Sequence, residues 1–330
     1  MPQVAERALV TGANGFVGCH LVTHLLERGY RVRGLVRTTS DLSALTGLSI
    51  EIACGDVTEP DTLPAALDGV DLVFHVAGLT KSRDRAAYFQ VNEEGSRALM
   101  EACHGRPALR RFIYVSSQAA AGPSGPNRSR REEDPPKPTG PYGESKLAGE
   151  RACFQAAAGR IPLTVVRPAI VYGPWERDLL QLFKQARRGI VPRIRGDSRV
   201  SLIHAADLAV LLERAGRSPV AEGKTYFAAD HRSYWMREVI ALMGEVLGRR
   251  VVQLPVPPAV LWPLAVVNEQ LLARGRGIEA LTRTRLKEFR ERFWLLDTSR
   301  CRADLDWEPG RSLKEGLAET VRWYRGQGWL

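Results

Sequence analysis

The stretch Leu9-Val10-Thr11-Gly12-Ala13-Asn14-Gly15-Phe16-Val17-Gly18 carries three glycines spaced three residues apart. A short apolar run precedes the glycines, and an apolar-periodic segment follows them as far as Gly29. This order predicts a strand, a glycine turn and a helix, a context in which the glycines are more than ordinary turn residues. A glycine backbone can approach a phosphate closely, and the positive end of the following helix attracts it. The stretch therefore predicts a nucleotide pyrophosphate site.

Composition narrows the class of protein. The chain has 330 residues, 44% hydrophobic and 25% charged, which is ordinary for a globular protein with one large domain and a smaller one. The net charge of +10 comes mostly from scattered arginines, so we expect no nucleic acid partner. The five cysteines form no Cys-x-x-Cys pair, which argues against a disulfide framework or a metal site.

The sequence shows no signal peptide before the first strand and no apolar run near the roughly 18 residues of a spanning helix. We therefore expect a cytoplasmic protein without a transmembrane segment. An apolar stretch, 256–267, is followed by a basic stretch, 274–292. These stretches predict a packed helix with a solvated neighbour, or alternatively an apolar substrate mouth or a peripheral contact with anionic lipid. The oligomeric state is left open, a homodimer included.

Strand-like and helix-like segments alternate as far as about residue 173. The alternation predicts an α/β fold with a Rossmann-type, doubly wound parallel sheet, whose ligands bind at the carboxyl ends of the strands. Beyond that point helical stretches and short strand candidates predict a smaller, mostly helical C-terminal cap. We expect a dinucleotide-binding domain over 1–173 and a substrate-binding cap over 174–330, with the chain able to cross back between them.

Tyr142 and Lys146 are four residues apart, so a helix would place them on one face, one turn apart. Such a pair is often only solvated, but Tyr114-Val115-Ser116-Ser117 ends a strand that should face the same crevice. A lysine ammonium favours the phenolate and lowers the pKa of a tyrosine, and a serine hydroxyl can hold a substrate oxygen. Hydride transfer to or from nicotinamide requires these groups of the protein.

The cofactor preference is predicted from the end of the second strand. NAD-specific sites place an acid there for the ribose 2′-hydroxyl, whereas here Arg37 follows Val36 and the first acid is Asp41. A guanidinium offers a fork of donors suited to a 2′-phosphate. We therefore expect NADP(H), with NAD as the alternative if Arg37 is only a solvated arginine.

These motifs together resemble the extended short-chain dehydrogenase/reductases, the NAD-dependent epimerase/dehydratase family, over essentially the whole chain. The branch most similar is that of the hydroxysteroid dehydrogenases and dihydroflavonol reductases. The matching segments are Thr11-Gly12-x-x-Gly15-x-x-Gly18, Gly55-Asp56-Val57, His75-Val76-Ala77-Gly78, Asn92-x-x-Gly95, Val115-Ser116-Ser117, Tyr142-x-x-x-Lys146, Arg167-Pro168, Val171-Tyr172-Gly173-Pro174, Ile203-His204-x-x-Asp207 and Trp323-Tyr324 to Leu330.

The resemblance implies roles for individual residues. Tyr142 would be the proton donor and acceptor, Lys146 would bind the ribose and tune Tyr142, and Ser117 would orient the substrate oxygen. Asp56 would contact the adenine, Asn92 would support the site, and Ser116 could be structural. The residues expected to bind the cofactor are Gly12, Asn14, Gly15, Phe16, Val17, Gly18, Arg37, Asp56, Val57, Ala77, Tyr142, Lys146, Pro168 and Val171.

Departures from the family's branches narrow the activity. Dehydratases follow the active-site hydroxyl with an Asp-Glu pair, but Gln118 and Ala119 follow Ser117 here. Sugar-nucleotide epimerases commonly carry an asparagine where this chain has Ile170. We predict an NAD(P)-dependent oxidoreductase that interconverts a secondary alcohol and a ketone on a mainly hydrophobic small molecule. The alternatives are an NDP-sugar 4-epimerase and a non-catalytic NADP-binding sensor or scaffold.

Overall fold

The computed structural model of the protein describes residues 6–257 and 291–330, together with residues 262, 263, 266 and 268. The stretches 256–267 and 274–292 lie largely outside these residues, so the interpretations placed on them stay predictions. None of the described helices is long and apolar enough to cross a membrane.

The strands and helices follow one another as the alternating pattern predicts. The strands are Arg7–Thr11 (β1), Arg31–Val36 (β2), Glu51–Cys54 (β3), Leu72–His75 (β4), Arg111–Val115 (β5), Leu163–Pro168 (β6), Ile170–Tyr172 (β7), Ile190–Ile194 (β8), Arg199–Val200 (β9), Leu202–His204 (β10), Thr225–Ala228 (β11), Tyr234–Trp235 (β12), Val252–Val256 (β13) and Phe293–Trp294 (β14). The described α-helices are Phe16–Glu27 (α1), Leu63–Ala66 (α2), Arg85–Phe89 (α3), Gly95–Ala102 (α4), Gln118–Ala121 (α5), Gly140–Ala157 (α6), Asp178–Arg187 (α7), Ala205–Arg217 (α8), Met236–Leu247 (α9), Ser299–Leu305 (α10) and Leu313–Gly326 (α11).

Seven parallel strands form the central sheet in the order β11-β6-β5-β4-β1-β2-β3. β1 lies between β2 and β4, so the winding of the sheet reverses at β1. A crevice opens at the carboxyl ends of the strands beside such a reversal, where ligands bind. The predicted doubly wound α/β fold is confirmed.

The central strands are buried on both faces because an apolar layer covers each face of the sheet. On one face α1 and α8 pack against the sheet through Leu21, Leu25 and Leu211. On the other face α4 and α6 contribute Leu99 and Cys153 to a second cluster. The two layers fix α1 and α6, which carry the glycine turn and the Tyr142–Lys146 pair.

After α7 and three short strands, the chain returns to the central sheet with α8 and β11. α8 packs on α1, and β11 pairs with β6 at the edge of the sheet, whereas the sequence pattern had grouped both with the cap. β11 pairs parallel to β6, and apolar residues of α8 and β11 belong to the same core cluster as α1. The remaining described cap elements, among them α7, α9 and α11, pack around a third cluster.

A π-helical turn, Gln90–Glu94, separates α3 from α4. The carbonyl of Asn92 in this turn accepts hydrogen bonds from Ser96 Oγ at 2.7 Å and Tyr114 Oη at 3.3 Å. These side chains replace part of the regular helical ladder, and π-turns of this kind are frequent at functional sites.

Candidate active site and dinucleotide groove

The glycine turn can be built only without side chains at two of its positions. Gly12 has a φ of +64°, and a Cβ there would lie 2.9 Å from the Cα of Ala77. A Cβ on Gly18 would lie 2.0 Å from the carbonyl oxygen of Gly12, because α1 packs directly on the turn. The turn therefore draws β1, α1 and the loop after β4 close together, as a pyrophosphate site requires.

The N-terminal end of α1 is open to an anion. Gly15 is its N-cap residue and supplies no side-chain cap, and the first turn contains no acidic residue. Backbone N–H groups and the positive helix dipole are therefore available to a phosphate. The predicted residues Asn14, Gly15, Phe16 and Val17 are partly or fully exposed at this end. The turn fits the pyrophosphate of a dinucleotide.

The predicted adenosine contacts lie beyond β2 and β3. Arg37 follows β2 directly and its side chain is exposed. Asp56 follows β3, and its Oδ1 accepts hydrogen bonds from the backbone N–H and the hydroxyl of Thr58, both at 2.9 Å. Val57 is buried, and a Cβ on Gly95 would touch it. Asp56 is thus held rigidly, with its second carboxylate oxygen able to accept from an adenine.

The contact between α5 and α6 places the helix that carries Tyr142 against the residues that follow Ser117. Gly143 follows Tyr142, and a Cβ there would lie 2.4 Å from the carbonyl oxygen of Ala119. Ser117 caps α5 by accepting a hydrogen bond from the Ala119 backbone N–H at 3.1 Å. Its hydroxyl hydrogen remains able to donate to a substrate oxygen.

Lys146 lies inside the protein, with 3% of its surface exposed. Its ammonium is 4.3 Å from the centre of the Tyr114 ring and would be 3.6 Å from a Cβ on Gly78. Burial lowers the pKa of Lys146 to about 8, an effect that the nearby Glu150 partly opposes. An ammonium held there can contact a ribose at the sheet edge and favour an ionised phenol on its own helix.

A buried hydrogen-bond chain links the glycine turn to α4. The Ala77 N–H donates to Thr11 Oγ1, which lies 2.8 Å from His75 Nδ1, and His75 Nε2 lies 2.9 Å from Ser96 Oγ. Burial lowers the pKa of His75 to about 3, so the ring is neutral. With Ser96 donating to the Asn92 carbonyl, the chain is satisfied when Nε2 of His75 carries the proton.

Asn92 supports the loop after β4. Its Oδ1 accepts from the Leu79 N–H at 2.8 Å, and its Nδ2 donates to the Leu79 carbonyl at 2.9 Å. Nδ2 is also 2.9 Å from the hydroxyl of Ser145, which precedes Lys146. Asn92 therefore fixes the position of the loop relative to α6.

Ser116 has a structural partner. Its hydroxyl donates to Glu150 Oε1 at 2.5 Å, and Arg167 binds both oxygens of this carboxylate. Ser116 therefore joins a buried ion pair, whereas its neighbour Ser117 lies at the start of α5.

The last predicted contacts lie at the ends of β6 and β7. Pro168 ends β6, and Val171 is half-buried in β7. His204 Nδ1 caps α8 by accepting from the Ala206 N–H at 3.3 Å, and its ring packs edge-on against Tyr172. Burial lowers the pKa of His204 to about 4, in keeping with a packing role.

Comparison with known proteins agrees with this geometry. The model of the NAD dependent epimerase/dehydratase family matches residues 8–229, which span the sheet, the glycine turn and the Tyr142–Lys146 helix. The chain belongs to this family. It is accordingly an NAD(P)-dependent enzyme of the extended short-chain dehydrogenase/reductases, as the resemblance predicted.

Relatives in the family carry different activities. The chain is 33% identical to a ceramide reductase from Caulobacter vibrioides, over 97% of this chain and 95% of that protein. It is 30% identical to a 3β-hydroxysteroid dehydrogenase/Δ5→4-isomerase from Mycobacterium tuberculosis, over 96% and 90%. The structure of a UDP-glucose 4-epimerase from Thermotoga maritima matches with a TM-score of 0.80 and 22% identity, over 97% and 99%. That last likeness concerns the fold.

The sequence did not reveal the residues that hold the candidate active-site side chains in position. Tyr114 lies beneath Lys146, Ser96 ends the His75 chain, and Glu150 pairs with Arg167. The apolar character of the segments that carry these residues predicts that they are buried. It does not predict their contacts, because the residues they contact lie elsewhere in the sequence.

Proposed function

We propose that the protein is an NADP(H)-dependent oxidoreductase that interconverts a secondary alcohol and a ketone on a mainly hydrophobic, lipid-like or sterol-like molecule. The observation that carries the proposal is the buried ammonium of Lys146, one helical turn after Tyr142, on a helix whose Gly143 packs against Ala119 of α5. A lysine this buried is rarely kept without a function.

Tyr142, Lys146 and Ser117 have different roles in proton transfer. Tyr142 gives a proton to the forming carbinol oxygen or takes it away, and the charge of Lys146 favours the phenolate. The Ser117 hydroxyl donates a hydrogen bond to the same oxygen and orients it. The nicotinamide supplies or accepts the hydride when the cofactor is bound.

The proposed substrate class rests on three residues at which this chain differs from dehydratases and epimerases. Neither Gln118 nor Ala119 offers the acid that water elimination requires, and Ile170 presents a half-buried apolar side chain where an epimerase holds a sugar diphosphate. The relatives named for ceramide and for a hydroxysteroid support a lipid-like substrate.

A substrate panel tests the proposal. Ceramide, a 3β-hydroxysteroid, the corresponding ketones, a flavonoid and UDP-glucose are each incubated with the enzyme and followed by nicotinamide absorbance. We expect net oxidation or reduction with at least one hydrophobic compound. Conversion of UDP-glucose to its epimer, with no net change in absorbance and no activity on the hydrophobic compounds, would identify an epimerase instead.

The preference for NADP(H) rests on Arg37 at the end of β2. We predict that Arg37→Ala weakens NADPH binding by about 1.5–3 kcal/mol, the range for a hydrogen bond to a charged group, and leaves NADH binding nearly unchanged. Titration of both cofactors measures the effect. Arg31→Ala, an exposed arginine at the other end of β2, is the matched control. Equal losses for both cofactors would show that Arg37 does not recognise the 2′-phosphate.

A further inference from the structure

The segment that joins β7 to α7, residues 173–178, is referred to below as the strap. Its last residue, Asp178, forms an ion pair with Lys81 in the loop after β4. The residue before it, Arg177, lies close enough to Asp41, in the loop after β2, to interact with it electrostatically. Two adjacent strap residues therefore reach toward loops on opposite sides of β1.

These two loops flank the glycine turn. Asn14 Nδ2 donates to the Asp41 carbonyl at 3.2 Å, and Ala77 lies against Gly12 on the other side. β1 is the strand between β2 and β4, so a segment that approaches both loops runs beside the turn that follows β1. The carbonyl oxygen of Pro174 in the strap also lies 2.9 Å from Nε2 of His20 on α1, so the strap runs close to the N-terminal end of that helix.

Packing holds the strap in this position. Trp175 has a left-handed φ of +70°, and its ring lies 4.8 Å from that of Trp323 and 6.1 Å from that of Trp329. Tyr324 Oη donates to the Glu176 carbonyl at 2.6 Å. A non-glycine residue in this conformation costs about 1–3 kcal/mol and persists only where its surroundings enforce it.

The guanidinium of Arg177 is exposed and stands 5.1 Å from the centre of the Trp329 ring. Among the described residues it has no carboxylate within ion-pair distance, whereas its neighbour Asp178 is paired. Hydrogen bonds from Ser43 lower the pKa of Asp41 most, and the charge of Arg177 lowers it further. A cation with free donors is thus held beside the groove.

We propose that Arg177 binds a phosphate group of the NAD(P) cofactor from the strap side, opposite the N-terminal end of α1. The planar guanidinium of Arg177 can donate two parallel hydrogen bonds to a phosphate. The ring of Trp329 restricts the motion of this side chain before the cofactor binds. The proposal extends the proposed function but does not depend on its NADP(H) preference, because NADH also carries a pyrophosphate.

The test compares the dissociation constants of NADPH and NADH for the wild type, Arg177→Gln and Arg177→Lys. We expect Arg177→Gln to weaken binding about 10- to 100-fold, because a charge-assisted hydrogen bond is lost, and Arg177→Lys to recover part of the loss. Arg187→Gln removes the same charge from an exposed arginine of α7 and should change binding less than twofold.

Each outcome has one meaning. Equal losses for both cofactors identify the pyrophosphate, and a loss confined to NADPH identifies the 2′-phosphate; either supports the proposal. Unchanged binding of both cofactors, or an equal effect of Arg187→Gln, would overturn it whatever the substrate panel shows.

Asp178→Asn provides a second measurement if Arg177→Gln does not fold. It removes the exposed ion pair with Lys81 that helps to hold the residue next to Arg177. We expect bound NADPH to leave several-fold faster because Arg177 is then held less firmly, and an unchanged release rate would contradict the phosphate contact assigned to Arg177.

Discussion

Lys146 shows how much of the site depends on the surroundings of one residue. Desolvation, partly opposed by the charge of Glu150, brings its pKa from 10.5 to about 8, so the ammonium is charged at neutral pH but close to its titration range. The ring face of Tyr114 lies against it and stabilises the charged form. The lysine thereby stays charged in a buried position.

Cofactor affinity should therefore decrease in alkaline solution. Below about pH 8 Lys146 is protonated and the affinity should be constant; above it the free enzyme loses the ammonium, and affinity should fall by up to about tenfold per pH unit. Dissociation constants measured from pH 6 to pH 10 check this. Lys146→Gln should bind weakly at every pH, and the same alkaline fall in that variant would assign the titration to another group.

The i, i+4 spacing of Tyr142 and Lys146 was readable in the sequence because a helix maps this spacing onto one face. The burial of Lys146 and the ring beneath it were not, because Tyr114 is 32 residues away and reaches the lysine only through the sheet. The same limit applied to Arg177, which the sequence analysis did not single out.

Helix α6 is the element on which the candidate chemistry depends, and close contacts fix its position. A Cβ on Gly149 would lie 2.0 Å from the Asn92 carbonyl, so α6 packs directly on the π-helical turn. Glu150 on the same helix meets Arg167 of β6 and Ser116 in a buried network. These contacts fix the position of the helix that carries Tyr142.

Removing one member of this ion pair should destabilise the protein strongly. Arg167→Met leaves the buried carboxylate of Glu150 without its cation, and we expect a loss of about 3–5 kcal/mol in the free energy of unfolding. Arg128→Met breaks the exposed pair with Asp134 and should cost less than about 1 kcal/mol. Denaturant titration compares the two variants, and similar losses would contradict the structural role of the buried pair.

The sequence predicted β1 to β6 because each is a short segment that is either apolar or alternates between apolar and polar residues. It did not predict that β11 completes the sheet, because Thr225–Ala228 is separated from β6 by α7, α8 and several short strands. The π-helical turn was also missed, because the side chains that bind its Asn92 carbonyl, those of Ser96 and Tyr114, lie outside the turn in the sequence.

At the scale of the whole molecule, the reversal of winding at β1 explains why the predicted residues meet. The glycine turn, Arg37, Asp56, Ala77 and Ser117 all follow carboxyl ends of strands in one parallel sheet. Such ends lie along one edge of the sheet, so residues separated by more than 100 positions come to the same edge, where ligands of such folds bind.

Cofactor binding should stabilise the whole fold. At a concentration of 100 times its dissociation constant, NADPH should add about 2.7 kcal/mol, which corresponds to an increase of about 4 °C in the unfolding temperature of a chain this size. Thermal unfolding with and without cofactor measures the shift. A guanine nucleotide at the same concentration is the control. An unfolding temperature raised by neither NADPH nor NADH would contradict the dinucleotide site.

The turnover of Tyr142→Phe on the best compound of the substrate panel, measured together with its NADPH affinity, tests whether Tyr142 transfers the proton. Removing the transferable proton should lower the rate by about 10²–10⁴ and leave the affinity nearly unchanged. Tyr88→Phe, whose ring lies 6.4 Å from that of Tyr142, should keep the rate within a few-fold of the wild type. Wild-type turnover by Tyr142→Phe would contradict the assignment of Tyr142 as the general acid and base.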